Sequence, residues 1–291
     1  MVAGNSGSEM KRLQRFFVVV VMMALVLQLP MASADEQPRA LPLSGEAFTI
    51  AGRPAFLIPG KQGTQLSGKA WVWYAPTLPG LPGSAERWMF EHFINRGISI
   101  AGIDAGESYG SPQGNKVYDL LYTHLVQKGF SARPVMLGRS RGGLMTLSWA
   151  ATHPDRVAAF AGIYPVFNLS SYPGLQRAAP AFDLTADQLA ERLPEFNPVD
   201  RLQQLADRKI PLFAIHGDVD RVVPLELNSG LAASRYEKLD GSFQLLIPPG
   251  QGHNMWDGFF HCEELVQFVI HHSERVNSEN GSESGSRSVN E

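Results

Sequence analysis

Between residues 45 and 272 the chain alternates short, densely apolar runs with longer stretches whose apolar positions recur at helical spacing. Runs at 48–50 and 55–58 read as an opening hairpin, and further strands are predicted at 71–74 (Trp-Val-Trp-Tyr), 98–103, 134–137, 157–163, 211–215 and 243–247. Helical spacing covers 84–95, with Ser84 as N-cap and Gly97 as stop, then 118–128, 142–152, 225–239 and 263–272. The strand runs lack polar alternation, as expected of parallel strands covered on both faces. Strands separated by helices of about a dozen residues make repeated β-α-β units. The pattern therefore predicts an α/β fold with a mostly parallel central sheet flanked by helices. In such sheets reactive groups gather just beyond the carboxyl ends of strands.

Three segments depart from this alternation. Residues 1–34 carry a basic cluster (Lys11, Arg12, Arg15), an apolar block from Phe16 to Leu29 and the triplet Ala32-Ser33-Ala34. That is the layout of a secretory signal peptide, and the block is short for a membrane span. Cleavage would leave a secreted or periplasmic domain, residues 35–273, with no stable membrane association. Retention as an uncleaved anchor is the alternative. Residues 274–291 are polar, lack aromatics and are expected to be a disordered tail. Residues 173–209 are rich in Pro, Leu, Ala and charge, with short helices at 186–192 and 198–206. They form either a small cap insertion over the site or an elaborated crossover.

Composition narrows the chemistry. The net charge is -3 and no long Lys/Arg run occurs, so a nucleic-acid footprint is absent from the sequence. Cys262 is the only cysteine and cannot form an internal disulfide. Its apolar surroundings point to a buried, inert thiol. No metal-ligand cluster or cofactor fingerprint is visible.

The strongest local signal is Gly138-Arg139-Ser140-Arg141-Gly142-Gly143, between the strand at 134–137 and the helix at 142–152. A serine on a tight strand-to-helix turn projects its hydroxyl from the sheet edge, and glycines two residues either side leave room for the turn. Such a hydroxyl needs a base, and the base needs an orienting carboxylate. After the strand at 211–215 the chain reads His216-Gly217-Asp218-Val219-Asp220-Arg221-Val222-Val223-Pro224. Asp220, anchored by Val-Val-Pro, is the preferred acid; Asp218 suits a turn brace and His216 a structural role. After the last strand, Gly252-His253 supplies the preferred base. The oxyanion donors are the N–H of Arg141 and, because Pro76 has none, that of Thr77, with Leu78 as the alternative. Tyr109, Arg139, Tyr164 and Trp256 stand where substrate contacts or structural roles are equally natural, as does Glu107.

These motifs resemble those of the α/β-hydrolase superfamily, especially its esterase and prolyl-oligopeptidase-like branches. The shared patterns are Gly-x-Ser-x-Gly-Gly at Gly138 to Gly143, His-Gly-x-x-Asp-x-x-Val-Pro at His216 to Pro224, and Gly-x-x-His at Gly250 to His253. A closer likeness, to secreted bacterial α/β-hydrolases of unassigned substrate, runs through Trp71 to Pro76, Tyr109-Gly110-Ser111-Pro112 and Trp149-Ala150-Ala151. The resemblance implies a serine hydrolase with Ser140, Asp220 and His253 as its triad. It leaves the substrate open; hydrolysis of carboxylic esters is the first expectation. The export signal, not the resemblance, suggests a small-molecule or oligosaccharide ester as partner, with no cofactor expected. A peptidase acting on short peptides and a silent binding protein are the alternatives.

Overall fold

The computed structural model describes residues 40–64 and 69–287, with side chains as far as residue 275. The export segment read in residues 1–34 lies outside the described residues. Eight strands form one sheet: β1 (Glu46–Ile50), β2 (Arg53–Ile58), β3 (Trp71–Ala75), β4 (Ser99–Ile103), β5 (Val135–Arg139), β6 (Ala159–Ile163), β7 (Leu212–Ile215) and β8 (Phe243–Leu246). Their order is β1-β2-β4-β3-β5-β6-β7-β8. β2 runs antiparallel to both neighbours, and every other pairing is parallel. This is the mostly parallel sheet expected from the apolar runs.

Strand alternation builds two cores. In β3, Val72 and Tyr74 face one side, with Phe90, Phe93 and Val266. Trp71, Trp73 and Ala75 face the other, with Leu121, Leu147 and Tyr236. A period of two sends neighbouring side chains to opposite faces, so an unbroken apolar run is what a doubly covered strand requires. On the second face Trp73 packs between Trp71 and Trp149, at centroid distances of 5.2 and 4.8 Å.

The helices are α1 (Arg87–Asn95), α2 (Pro112–Gln127), α3 (Gly142–Thr152), α4 (Leu175–Ala178), α5 (Ala186–Glu191), α6 (Leu193–Phe196), α7 (Leu202–Ala206), α8 (Ser229–Glu237), α9 (Asp257–Phe260) and α10 (Glu263–Arg287). Several boundaries differ from the sequence expectation. α2 starts at Pro112 rather than at 118: Ser111 caps it through Gly114 N–H, and proline suits the first helical position because its missing N–H is not needed there. The expected helix start at Ser84 is a 3-10 turn capped by Gly83, whose N–H is taken by the Glu86 carboxylate at 2.9 Å. Residues 225–227 are likewise a 3-10 turn before α8. The tail expected to be disordered from 274 instead continues α10 to Arg287. Polarity alone does not stop a helix that a buried first half has already nucleated.

Segment 173–209 folds into α4 to α7 and intervening turns. Ala178, Ala179, Phe182 and Leu189 from it share a third apolar cluster with Leu144, Val166, Leu169 and Val223. Cys262 is buried as expected, and burial pushes its thiol up to about 11, which leaves it protonated near neutrality.

Candidate active site

Ser140 stands between the last residue of β5 and the first turn of α3 with φ 52°. That left-handed conformation is unfavourable for a side-chain-bearing residue, and the backbone around it holds it there. Ser140 N–H donates to the Ile163 carbonyl at 2.9 Å, and its own carbonyl accepts from Gly143 and Val166 N–H, both at 2.9 Å. A β-carbon on Gly142 would run into the Ala75 carbonyl, which is why glycine is required there.

The hydroxyl meets the two other residues singled out from the sequence. Ser140 Oγ lies 2.9 Å from His253 Nε2, and His253 Nδ1 lies 2.8 Å from Asp220 Oδ2. The Asp220 side chain is fully buried, and that of His253 is largely so. Asp220 Oδ1 accepts from Val222 and Val223 N–H at 2.9 and 2.8 Å, fixing the carboxylate within its own turn. Burial alone would raise the Asp220 pKa. Hydrogen bonds from His216, His253 and Val223 N–H outweigh it and hold the carboxyl well below the ordinary carboxylate range.

His216 has the structural role expected of it. It is fully buried, with Nδ1 2.8 Å from Ser229 Oγ and Nε2 2.8 Å from the Val223 carbonyl. A carbonyl only accepts, so Nε2 carries the hydrogen. The same nitrogen is 3.4 Å from Asp220 Oδ2. Asp218 is an exposed brace, its Oδ1 accepting from Gly250 N–H at 2.6 Å and tying the acid loop to the histidine loop.

A cavity of about 170 Å3 opens over Ser140. Its walls include Arg139, Arg141 and Tyr164, together with Pro76, Leu81, Asn254 and Met255, which sequence reasoning missed. Two expected contacts stand elsewhere. Tyr109 (φ 48°) packs against the third apolar cluster. Trp256 folds over Gly258 and sits edge-on to Phe259 at 5.3 Å. Its backbone N–H bonds Asn254 Oδ1 at 3.0 Å, a turn that puts Met255 in the wall instead. The Arg141 side chain forms a part-exposed ion pair with Glu107 at 3.0 Å beside the cavity. Thr77 is buried, its hydroxyl donating to the Tyr74 carbonyl at 3.2 Å, and it is not in the cavity wall.

Arg139 faces the cavity but is not a free cation. Its guanidinium donates to Glu86 at 2.7 Å and to Tyr164 Oη at 3.3 Å, and lies over the Phe260 ring. Glu86 is completely buried and also accepts from Tyr74 Oη at 2.8 Å. Tyr164 in turn packs on the His253 ring at 4.3 Å. A buried ion pair thus braces the wall beside the imidazole. Removing one partner of such a pair strands the other in a dry site. Glu86→Ala should therefore lower unfolding free energy by about 3–5 kcal/mol, read from urea denaturation. A loss under about 1 kcal/mol, the range of exposed pairs, would mean the pair is effectively solvated.

The parallel sheet, the turn that carries Ser140 and the order serine, acid, histidine along the chain place the molecule among the α/β-hydrolases. The family model described as the prolyl oligopeptidase family matches residues 112–273, the part that contributes all three side chains. The chain belongs to the prolyl oligopeptidase family and is a serine hydrolase. Among solved structures it is similar to Porphyromonas gingivalis dipeptidyl peptidase 4, at 16% identity and TM-score 0.61, over 78% of this chain and 35% of that one. It is similar to a puromycin-hydrolyzing peptidase of Mycobacterium tuberculosis, at 18% identity and TM-score 0.58, over 77% of this chain and 39% of that one. It is also similar to Est1E from Butyrivibrio proteoclasticus, at 18% identity and TM-score 0.57, over 79% of this chain and 99% of that one. The chain thus spans between about a third and two fifths of the length of these two peptidases. No curated protein matches the sequence.

Proposed function

We propose that the chain hydrolyses carboxylic esters through an acyl-Ser140 intermediate. The observation that carries this reading is the unbroken row from Ser140 Oγ through the His253 ring to Asp220, with contacts of 2.9 and 2.8 Å. His253 Nε2 takes the hydroxyl proton as Oγ attacks the ester carbonyl. Asp220 receives the Nδ1–H hydrogen bond and stabilises the imidazolium. His253 returns the proton to the departing alcohol, and water, activated by the same nitrogen, releases the acid. The N–H of Arg141, a cavity-wall residue with no backbone hydrogen bond among the described residues, holds the oxyanion. Thr77, the second donor expected from the sequence, also makes no backbone hydrogen bond through its N–H among the described residues, but it does not border the cavity. Losing one such donor typically costs about 3 kcal/mol of transition-state stabilisation.

The cavity size favours a short acyl group. About 170 Å3 is well below the roughly 300–1,000 Å3 of pockets for drug-sized ligands. The likeness to the esterase Est1E, over 79% of this chain and 99% of that one, agrees with an ester substrate. The N-terminal basic cluster, apolar block and Ala-Ser-Ala triplet support export to a secreted or periplasmic location, where carbohydrate-linked esters are among the substrates within reach. The second reading is a peptidase acting on short peptides, favoured by the family match and the two similar peptidases. Turnover of p-nitrophenyl acetate should exceed that of proline-ended p-nitroanilides by at least about 100-fold in kcat/KM. Faster amide turnover would assign the chain to peptides. A panel of acetylated, feruloylated and methylated carbohydrates then identifies the acyl group.

A further inference from the structure

Asp220 holds His253 at Nδ1 alone. One hydrogen bond leaves a ring free to swing about it, and a small swing would carry Nε2 away from Ser140 Oγ. What faces the ring is Tyr164, with centroids 4.3 Å apart and planes inclined by 53°. Among the described residues no other aromatic ring meets His253.

Tyr164 is itself held from several sides. It follows β6 directly with φ 34°, a left-handed conformation that persists in a side-chain-bearing residue only where the surroundings enforce it. Its N–H donates to the Ile215 carbonyl at 2.8 Å. Phe259 meets its ring edge-on at 4.9 Å. Its Oη accepts from Arg139 Nε at 3.3 Å. Burial outweighs the neighbouring guanidinium and raises the Tyr164 pKa, so Oη stays a neutral acceptor. Arg139 is fixed in turn by Glu86 and the Phe260 ring. Glu86 is anchored by Tyr74 Oη and by Gly83 N–H. A continuous set of contacts therefore runs from the turn at 83–86 to the imidazole. Arg139 ends β5 and precedes Ser140 in the chain, so the strand end that presents the nucleophile also steadies its base. Tyr164 borders the cavity but is only 2% exposed, which leaves the imidazole, rather than substrate, as its functional contact.

We propose that Tyr164 is a positioning residue for the catalytic base: its ring, tethered through Arg139 to Glu86, fixes the plane of the His253 imidazole so that Nε2 stays in line with Ser140 Oγ. The claim rests on the acyl-serine reading and holds for ester and peptide substrates alike.

The test combines kinetics on p-nitrophenyl acetate with the rate of fluorophosphonate labelling at Ser140, in the whole chain, with urea midpoints as the check on folding. Tyr164→Leu keeps apolar bulk and removes the aromatic ring. It should lower kcat and the labelling rate by about 10- to 100-fold, the cost of a misplaced reacting group, with KM within about threefold of wild type. Tyr164→Phe keeps the ring and loses only Oη, and should cost about three- to tenfold in kcat. Glu86→Gln combined with Arg139→Met removes both charges together, so neither is stranded. It cuts the same tether and should match Tyr164→Phe in kcat. These two variants keep the claim testable where Tyr164→Leu fails to fold. In His253→Ala no imidazole remains to be positioned, so adding Tyr164→Leu should change the labelling rate by less than about twofold.

The proposal is overturned by wild-type kcat in Tyr164→Leu, or in both tether variants. It is equally overturned by a rise in KM at unchanged kcat, which would make Tyr164 a substrate contact, or by equal losses in the wild-type and His253→Ala backgrounds. Wild-type protein that takes up no label would instead sink the acyl-serine reading, and the proposal with it.

Discussion

Ser140→Ala should lower kcat for an activated ester on the order of 10^6-fold while leaving the unfolding midpoint nearly unchanged. Only Oγ is removed, and its contact in the structure is with His253 Nε2. The bonds that hold the turn, to Ile163, Gly143 and Val166, all run through the Ser140 backbone and survive the change. Alanine bears the same left-handed φ no worse than serine. Kinetics on p-nitrophenyl acetate and a denaturation curve check the two halves separately. A residual rate within about tenfold of wild type would exclude an acyl-serine route, since the nucleophile, its base and its acid act as a unit.

Asp220→Asn should lower kcat by about 10^4-fold, whereas Asp218→Asn should stay within a few-fold of wild type. The hydrogen-bond pattern dictates the difference. Oδ1 of residue 220 serves two backbone N–H groups, of Val222 and Val223. An asparagine oxygen can keep those bonds, but the amide NH2 then faces His253 Nδ1. That nitrogen must become the acceptor, which moves the ring hydrogen to Nε2 and leaves nothing there to take a proton from Ser140. At Asp218 the oxygen serves Gly250 N–H, and asparagine keeps that acceptor.

The same carboxylate links activity to acid stability. A carboxyl whose folded pKa is depressed contributes stability in full above its unfolded pKa, about 3.9 for aspartate. That contribution is lost as pH falls through the lower folded value. The wild-type chain should therefore lose stability on acidification below about pH 4 more steeply than Asp220→Asn, as measured by urea midpoints across that range.

Much of this site was legible in the sequence because each of the three loops carries a local reason for its shape. Glycines around Ser140, Val-Val-Pro after Asp220 and Gly before His253 are short-range signals, and the parallel sheet converts them into neighbours. The strands were legible because burial on both faces erases polar alternation, as in β3 and β6. What escaped was long-range or depended on backbone direction. Glu86 and Arg139 are 53 residues apart and meet only through packing. Nothing near either one announces the pair, although the Gly83-to-Glu86 spacing is that of a capping box. Met255 rather than Trp256 reaches the wall because of one Asn254 turn. The helix expected from 118 begins six residues earlier, at Pro112, where proline suits the first turn.

Labelling with a fluorophosphonate followed by peptide mass spectrometry tests the central claim most directly. The account predicts one adduct, on the peptide that contains Ser140, abolished in Ser140→Ala and strongly slowed in His253→Ala. Folded wild-type protein that takes up no label, or takes it on another residue, would contradict it.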